Sequence, residues 1–369
     1  MAVIEPTNTL EQILVPFKGA TGWRGDFAER LKKDGLPTKR DEDWKWSDVT
    51  RASKGILGKG KVQFRSSVPP EWTEVRRAAD QDFFSNLLAY AAVQAVPFFE
   101  PKNLTVLDLD FRALRGVSHA AATIVAGAGV KFRVHEHYSS EEQAFSAMGV
   151  DYVVGPGSHV ERVILIDEAP KSVLLLSSGV TLHETGEFVQ TVISQGGKLV
   201  RHETQLHSAG GGAKATLNAA YLVGKGAQAD IVTRVNMAGP GGQLSQLIKG
   251  IAYGGGRGVF QGKIHVEQAA QKTDANMTHR GMIVDEKSEI NAKPELEIYA
   301  DDVECAHGNA IGTLDEMALF YMQQRGLPEA DARRLLVESF LDEALAEITH
   351  DRTAQTIRGV VAQRLKGLV

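Results

Sequence analysis

The chain has 369 residues, 43% of them hydrophobic, and a net charge of −5 at pH 7, which predicts a sizeable core in about two domains. This charge excludes a global basic field, and no apolar run approaches the roughly 20 residues that span a bilayer. Neither nucleic acid nor a membrane is therefore expected as a partner. The single cysteine excludes an intrachain disulfide and a self-contained four-cysteine metal site; with an N-terminus that lacks a basic head, it favours the cytoplasm.

Residues 1–100 are predicted to form a mostly helical N-terminal region. Thr9-Leu10-Glu11-Gln12 fits a capping box at the start of a helix. Asp82 to Ala95 is apolar enough for a buried helix that Pro97 would end. Between them, the charged segment Leu36–Val49 carries two tryptophans, and its acids outnumber its bases, which favours a surface segment anchored by two indoles over a nucleic-acid patch.

Residues 101–312 are predicted to be all-β. Short apolar or alternating runs recur there, separated by Gly, Asn, Asp or Pro. Ser140–Met148 is the one segment with the pattern of a short helix, so the helices that a doubly wound fold needs between its parallel strands are missing. Paired small-residue turns recur about every 14 residues, which favours a solenoid of short strands, with a β-sandwich as the alternative.

Residues 313–369 are predicted to form a C-terminal helical region. Thr313-Leu-Asp-Glu316 fits a capping box, Gly326 suits the residue after the helix end, and Pro328 suits the first turn of the next helix. Apolar residues then follow helical spacing to the end of the chain. These helices would either cap the solenoid or present a face to another protein.

Cys305 and His307 are the main candidates for chemistry. They lie in a strand-like segment, so the period of two places both side chains on one face. Thiolate and imidazole suit two ligands of iron or zinc, and they equally suit a cysteine nucleophile activated by histidine. A small buried cysteine beside a structural histidine is the third interpretation, and the spacing does not separate the three.

Other polar residues carry weaker signals. His135 and His137 share the same spacing and are expected on a solvated strand face, whereas the two histidines of RHETQLHS, His202 and His207, do not fit one face. The adjacent Asp301 and Asp302 would cap a turn or bind a cation. A carbohydrate-active β-helix enzyme is the alternative function, and it needs an exposed groove with clustered acids.

Three stretches resemble the SufB/SufD family, the scaffold proteins of the SUF iron–sulfur cluster assembly system. They are FQGKIHVEQAAQKTDA (Phe260–Ala275), KPELEIYADDVECAHGNAIG (Lys293–Gly312) and LFYMQQRG (Leu319–Gly326). Leu36–Val49 is similar to the family's N-terminal segment. The length and the DDVECAHG form are closer to the SufD than to the SufB members.

The resemblance implies a right-handed parallel β-helix flanked by N- and C-terminal helical regions. It implies pairing with a SufB-like subunit, binding of a SufC-like ATPase through the C-terminal helices, and a homodimer when the chain is isolated. Cys305 and His307 become candidate ligands of iron or a transient iron–sulfur cluster shared with the partner. No catalytic role and no tightly bound cofactor are implied. The sequence departs from the family at Asn236-Met237, where an Asp-His-like pair is usual, and at Asn309, where a small residue is usual.

Overall fold

A computed structural model describes residues 8–74, 84–103 and 105–365. Its described N-terminal part mixes helices with strands. The elements are α1 (Thr9–Leu14), α2 (Gly22–Asp34), α3 (Val49–Ser53), β1 (Val62–Ser66), β2 (Glu71–Glu74), α4 (Phe84–Ala91) and β3 (Ala95–Phe99).

Fifteen strands follow within the described residues and form the coils of a β-solenoid of about eight turns. They are β4 (Val106–Ala113), β5 (Gly116–Ala126), β6 (Lys131–Ser140), β7 (Ala144–Val154), β8 (His159–Glu168), β9 (Val173–Leu182), β10 (Glu187–Gly196), β11 (Leu199–Ser208), β12 (Lys214–Val223), β13 (Gln228–Met237), β14 (Gln243–Ala252), β15 (Arg257–Val266), β16 (Asp274–Ile283), β17 (Glu289–Ile298) and β18 (Glu304–Gly312). Helices α5 (Glu316–Gln324), α6 (Glu329–Asp342) and α7 (Asp351–Leu365) close the described chain.

From β3 onward, successive strands alternate between two nine-stranded sheets. The first sheet has the order β1-β4-β6-β8-β10-β12-β14-β16-β18, and the second has the order β2-β3-β5-β7-β9-β11-β13-β15-β17. From β4 and β5 onward the neighbours pair in parallel, so the chain forms a parallel β-helix and the β-sandwich alternative is wrong. His159 and Glu187, partners on neighbouring coils, lie 28 residues apart. Two turns per coil therefore explain the turn spacing of about 14 residues.

The solenoid core lies between the inner faces of the two sheets, and each helical region covers one outer face. The N-terminal helices pack on the second sheet through residues such as Phe145 and Leu175. The C-terminal helices pack on the first sheet through residues such as Val163 and Ile251. Both outer faces are therefore partly apolar, which explains why the strands do not show a simple apolar–polar alternation.

A charged cluster lies inside the solenoid. Arg162 is fully buried and donates two hydrogen bonds to the Glu136 carboxylate, at 2.8 and 2.7 Å, and a third to Gln190 Oε1 at 2.8 Å. The hydroxyls of Tyr138 and Tyr152 also donate to Glu136. Because both buried charges are paired and hydrogen-bonded, the core tolerates them.

The tryptophan-bearing segment contacts four neighbouring strands of the second sheet, β11, β13, β15 and β17. Trp44 is buried beneath Arg201 of β11, whose guanidinium lies 3.9 Å from the ring centroid. The Ser47 hydroxyl donates to Asp230 of β13. Lys293 of β17 pairs with Glu42 at 2.8 Å. The expected anchoring by indoles holds for Trp44, and ionic contacts extend it to the last strand of the sheet.

Several local predictions are wrong. The expected helix Ser140–Met148 is instead the end of β6 and the start of β7, because β7 pairs along its length with β5. Helix α4 ends at Ala91, and Ala95 already begins β3; Asp82 and Phe83 lie outside the described residues. No helix in the described parts of the chain is long and apolar enough to cross a membrane.

The two predicted capping boxes are also misplaced. Asn8, and not Thr9, caps α1 by accepting a hydrogen bond from the Glu11 amide at 2.9 Å. Asp315, and not Thr313, caps α5 by accepting from the amides of the second and third helical residues. Asn and Asp cap helices as well as Ser and Thr do, so the pattern alone did not fix the position. Gly326 follows α5 with φ +88°, as expected.

Candidate functional site

Cys305 and His307 lie in β18, the last strand of the first sheet. In register they pair with Ala275 and Met277 of β16, which are buried in the solenoid core. The two side chains therefore share one face, as the strand period predicts, and that face is the inner one. The sequence alone could not distinguish the inner face from the outer, because the distinction depends on pairing with a strand 30 residues earlier.

The column of interior positions that ends at Cys305 is apolar, and it is buried from Phe132 to Ala275. Its members are Phe132, Val160, Phe188, Ala215, Leu244, Ala275 and Cys305. In the last coil, however, Cys305 is only half-buried and His307 is exposed. The core of the β-helix thus ends on these two side chains with no further coil over them in the described chain.

The environment of Cys305 favours the neutral thiol. Partial burial raises its pKa above the ordinary value, and nearby Asp274 adds to the effect, although a hydrogen bond with the Ala275 backbone opposes it. In the described part of the chain, Cys305 makes no hydrogen bond to His307. An activated nucleophile needs a lowered thiol pKa, so this geometry does not favour the cysteine-nucleophile interpretation.

As a metal site, the pair is incomplete within this chain. Across the described residues, no three His, Cys, Asp or Glu side chains are placed so that they could hold a metal ion. Asp301 and Asp302 lie in the exposed turn before β18, where the Asp302 carboxylate pairs with Lys272. To hold a metal ion, Cys305 and His307 would therefore need further ligands from outside the described chain.

The same end of the solenoid exposes large apolar side chains and strand edges. Ile298, Tyr299 and Ile311 are 41%, 61% and 40% exposed. Strands β17 and β18 are the terminal strands of their sheets, so each has one edge without a strand partner in the described chain. Open edges beside apolar residues are typical of a surface that pairs with another chain.

A buried hydrogen-bonded row reaches the open end from inside and had no signal in the sequence. The Tyr221 hydroxyl lies 2.9 Å from His279 Nε2, and His279 Nδ1 lies 2.7 Å from Asn309 Oδ1. Asn309 pairs in register with His279 and follows His307 on the inner face of β18. The departure from the family pattern at Asn309 thus has a structural partner.

The two other histidine pairs singled out in the sequence lie on earlier strands, β6 and β11. His135 and His137 are on the outer face of the first sheet, where their Nδ1 atoms lie 3.0 and 3.2 Å from Asp108 and Asp110. His135 Nε2 also contacts Thr353 of α7 at 3.1 Å. The expectation of a solvated strand face is therefore wrong for His135, which helps to hold the C-terminal helices.

His202 and His207 lie on opposite faces of β11, as their spacing predicts. His202 is buried inside the solenoid, and burial holds its pKa well below the ordinary value. His207 is on the outer face, where its Nδ1 lies 3.2 Å from Asn236 Nδ2. Asn236 in turn donates to Glu267 at 2.8 Å, so this departure from the family pattern lies in a surface hydrogen-bond network.

An open groove of about 870 Å³ runs along the outer face of the second sheet and bears on the carbohydrate-enzyme alternative. Four of its five carboxylates are paired with cations, as in Asp43–Arg234 at 2.5 Å and Glu297–Lys263 at 2.7 Å. Hydrogen bonds to these cations help to hold the pKa of both carboxyls below the ordinary value. A glycosidase acid needs a raised pKa, so the groove does not favour this alternative.

Parallel coils that end on uncovered interior side chains define the class of protein: a β-solenoid with one open end. Residues 111–340 match the family model described as SUF system FeS cluster assembly, SufBD core domain. The match covers more than half of the chain, and the chain belongs to this family.

Individual relatives agree with the family model. The chain is 30% identical over 241 residues to the iron–sulfur cluster assembly protein SufD of Escherichia coli (strain K12). This alignment covers 65% of this chain and 57% of that protein. It is 30% identical over 239 residues to protein ABCI7, chloroplastic, of Arabidopsis thaliana, covering 64% of this chain and 50% of the relative. A SufBD family protein of Mycobacterium tuberculosis aligns over 90% of both chains at 23% identity. Alignment with the first two relatives thus spans only about half of their length.

Proposed function

We propose that this chain is a non-catalytic scaffold subunit for iron–sulfur cluster assembly that supplies Cys305 and His307 as part of a ligand set. The observation that carries the proposal is that both side chains continue interior columns of the solenoid and stand uncovered in its last strand. Iron–sulfur clusters are commonly held by four side-chain ligands. The cargo, iron or a transient cluster, is therefore shared with a partner that supplies the rest.

The partner in this proposal is a SufB-like subunit that covers the open end. Its strands would pair with the free edges of β17 and β18, and apolar contacts with Tyr299 and Ile311 would add affinity. The isolated chain would form a homodimer through the same surface. Family membership and the names of the relatives support this assignment.

The C-terminal helices would bind a SufC-like ATPase through the free face of α5. Met317, Phe320 and Tyr321 are 76%, 56% and 60% exposed there, although all three are large and apolar or aromatic. The buried residue of the same helix, Leu319, belongs to the cluster that packs on the first sheet. Helix α5 thus has one face buried in this cluster and another free for a partner.

The ligand assignment is tested by co-expressing the chain with SufB-like and SufC-like proteins and measuring iron and sulfide in the purified complex. Cys305→Ala and His307→Ala are each expected to remove most of both, while the melting temperature of the isolated chain stays unchanged. Glu304→Ala, on the outer face of the same strand, is the matched control. Full iron and sulfide in both variants would overturn the assignment.

The ATPase surface is tested by Met317→Glu and Phe320→Glu rather than by deletion of residues 313–369. Deletion would uncover apolar side chains of the first sheet, such as Val163 and Ile251. A loss of ATPase binding could then result from misfolding rather than from loss of the binding surface. Both substitutions are expected to abolish co-purification of the ATPase, whereas exposed Glu329→Gln on α6 retains it. An ATPase that still co-purifies with both variants rules out this surface.

A further inference from the structure

We infer that Asn309 donates hydrogen bonds to the cargo at the open end of the solenoid and is held in place by the buried pair His279–Tyr221. The inference rests on the proposed function, because it concerns the same end as Cys305 and His307. It makes Asn309 a contact residue for the cargo and makes His279 and Tyr221 positioning residues.

The position of Asn309 follows from the strand period. Residues 305, 307 and 309 form one row on the inner face of β18, with neighbours about 7 Å apart. The Asn309 side chain is exposed, like that of His307. A cluster several ångströms across that is bound to His307 would therefore lie within reach of the Asn309 amide.

The support beneath Asn309 is rigid. His279 is fully buried, and its ring stacks on Phe260 with a centroid distance of 5.2 Å and an interplanar angle of 12°. On its other flank Tyr221 is 6.1 Å away at 13°. In the same interior column as Tyr221, Gly250 makes room for the phenol, because a Cβ there would lie 1.9 Å from Tyr221 Cζ.

Hydrogen-bond satisfaction fixes the direction of the row. Tyr221 is buried, and burial raises its pKa, so the hydroxyl keeps its proton. Within the described chain its only hydrogen-bond partner is His279 Nε2, so the hydroxyl donates to that nitrogen, since an unpaired buried donor is costly. Burial also lowers the pKa of His279, which leaves one ring proton, on Nδ1, to be donated to Asn309 Oδ1.

This direction of the hydrogen bonds determines which atoms of the Asn309 amide group remain available to a ligand. Its oxygen is held by His279, and the opposite orientation would place the amide nitrogen against the Nδ1 proton, donor to donor. The two N–H bonds are therefore left free on an exposed side chain, and in the described chain they donate to nothing. Amide donors near cluster sulfurs stabilise the more negative reduced state and raise the reduction potential.

The test uses the complex of this chain with its SufB-like and SufC-like partners, loaded with a cluster. A redox titration followed by visible absorption and electron paramagnetic resonance measures the reduction potential. Asn309→Ala is expected to shift the potential to a more negative value while iron and sulfide stay within about twofold of wild type. Asn276→Ala, a matched change on the exposed outer face of β16, is expected to leave the potential unchanged.

The positioning role is tested by a double-mutant cycle. His279→Phe keeps the aromatic stack and removes the donor, so it should shift the potential in the same direction as Asn309→Ala and add nothing in the Asn309→Ala background. If His279→Phe does not fold, the smaller change Tyr221→Phe tests the same role, and it should give a partial shift of the potential. An equal shift from His279→Phe in both backgrounds would show that it acts through packing and would overturn the positioning role.

Failure of this inference is distinguishable from failure of the proposed function. An unchanged potential in Asn309→Ala, with loading still lost in Cys305→Ala and His307→Ala, overturns the inference alone. Loading that is indifferent to Cys305→Ala and His307→Ala overturns the proposed function and the inference together.

Discussion

The two ends of the solenoid consist of similar coils, but only the first end is capped by other strands of the described chain. At the first end, β1 and β2 pair antiparallel with β4 and β3, and Phe64 of β1 packs 4.9 Å from Phe111. At the last end, β18 pairs only with β16 in its sheet, and no described residue closes the coil. A stack of repeats needs a cap at each end, and the uncapped end is where we propose that another chain binds.

One interior column allows the two ends of the solenoid to be compared at the same register position. It begins at Phe111, passes through Tyr221 and Gly281, and ends at Ile311. Phe111 is 1% exposed and Ile311 is 40% exposed. The same register position is therefore core at one end and surface at the other, so substitutions along this column can separate folding stability from the proposed partner binding.

The largest effect is expected from truncating the first member of this column. Phe111→Ala removes a fully buried ring and should lower the free energy of unfolding by about 3–5 kcal/mol. Ile311→Ala, at the other end, should cost less than about 1 kcal/mol. Urea denaturation of the isolated chain measures both, and similar losses for the two variants would contradict the distinction between the ends.

A smaller effect is expected where a helical region covers the first sheet. Lys249 is buried, and its ammonium pairs with the Glu343 carboxylate and lies 4.4 Å from the Phe340 ring centroid. Glu343→Gln removes the charge partner of this buried cation and should cost about 1–3 kcal/mol. Thermal unfolding checks the value, with Glu347→Gln, on an exposed residue of the same region, as the control.

The same pair has a defined pH dependence. The hydrogen bond and charge of Lys249 lower the pKa of Glu343 below its ordinary 4.5. Its contribution is therefore fully present above pH 4.5 and is lost as the pH falls through the lower folded-state value. The stability difference between wild type and Glu343→Gln should shrink on acidification; a difference that grows would contradict the pairing.

At the open end, a substitution should affect association more than folding. Tyr299 is largely exposed and has one described ring contact, with His265 at 5.1 Å. Tyr299→Ser should change the free energy of unfolding by less than about 0.5 kcal/mol and weaken pairing with a SufB-like subunit by about tenfold or more. Calorimetric titration measures the pairing, and unchanged affinity would remove Tyr299 from the interface.

The smallest effect on stability is expected at Cys305. Cys305→Ser should leave the melting temperature unchanged, because the thiol is only half-buried. Alkylation of wild type by iodoacetamide should accelerate with pH to a midpoint above 9.0, since partial burial raises the thiol pKa. A midpoint below 9.0 would instead indicate an activated thiol and would revive the nucleophile interpretation.

The sequence predicted the overall architecture more accurately than the local details. Short strands and regular small-residue turns predicted a solenoid, because those signals depend only on nearby residues. The β7 segment was mistaken for a helix because its partners in β5 and β9 lie about one coil away, and only long-range pairing decides its conformation. Capping residues were misplaced by one or two positions for the opposite reason, since several neighbouring residues could serve.

The candidate site was predictable in part. The period of two placed Cys305 and His307 on one face, and the resemblance to a family suggested the ligand role that we propose for them. That this face is the interior of the last coil depends on the register Cys305↔Ala275, which no local pattern encodes. The supports beneath the site, His279 and Tyr221, were missed because they lie 26 and 84 positions earlier than Cys305 and carry no motif of their own.

The segment that crosses the second sheet affects the two strands of the open end unequally. In a linear stack the terminal repeat has a single neighbour and frays first. Glu42 ties Lys293 of β17 to the N-terminal region, across 251 residues of sequence, whereas β18 has no such tie in the described chain. Amide hydrogen exchange should therefore be slower in β17 than in β18, so the strand that bears Cys305 and His307 stays the more adaptable half of the terminal coil.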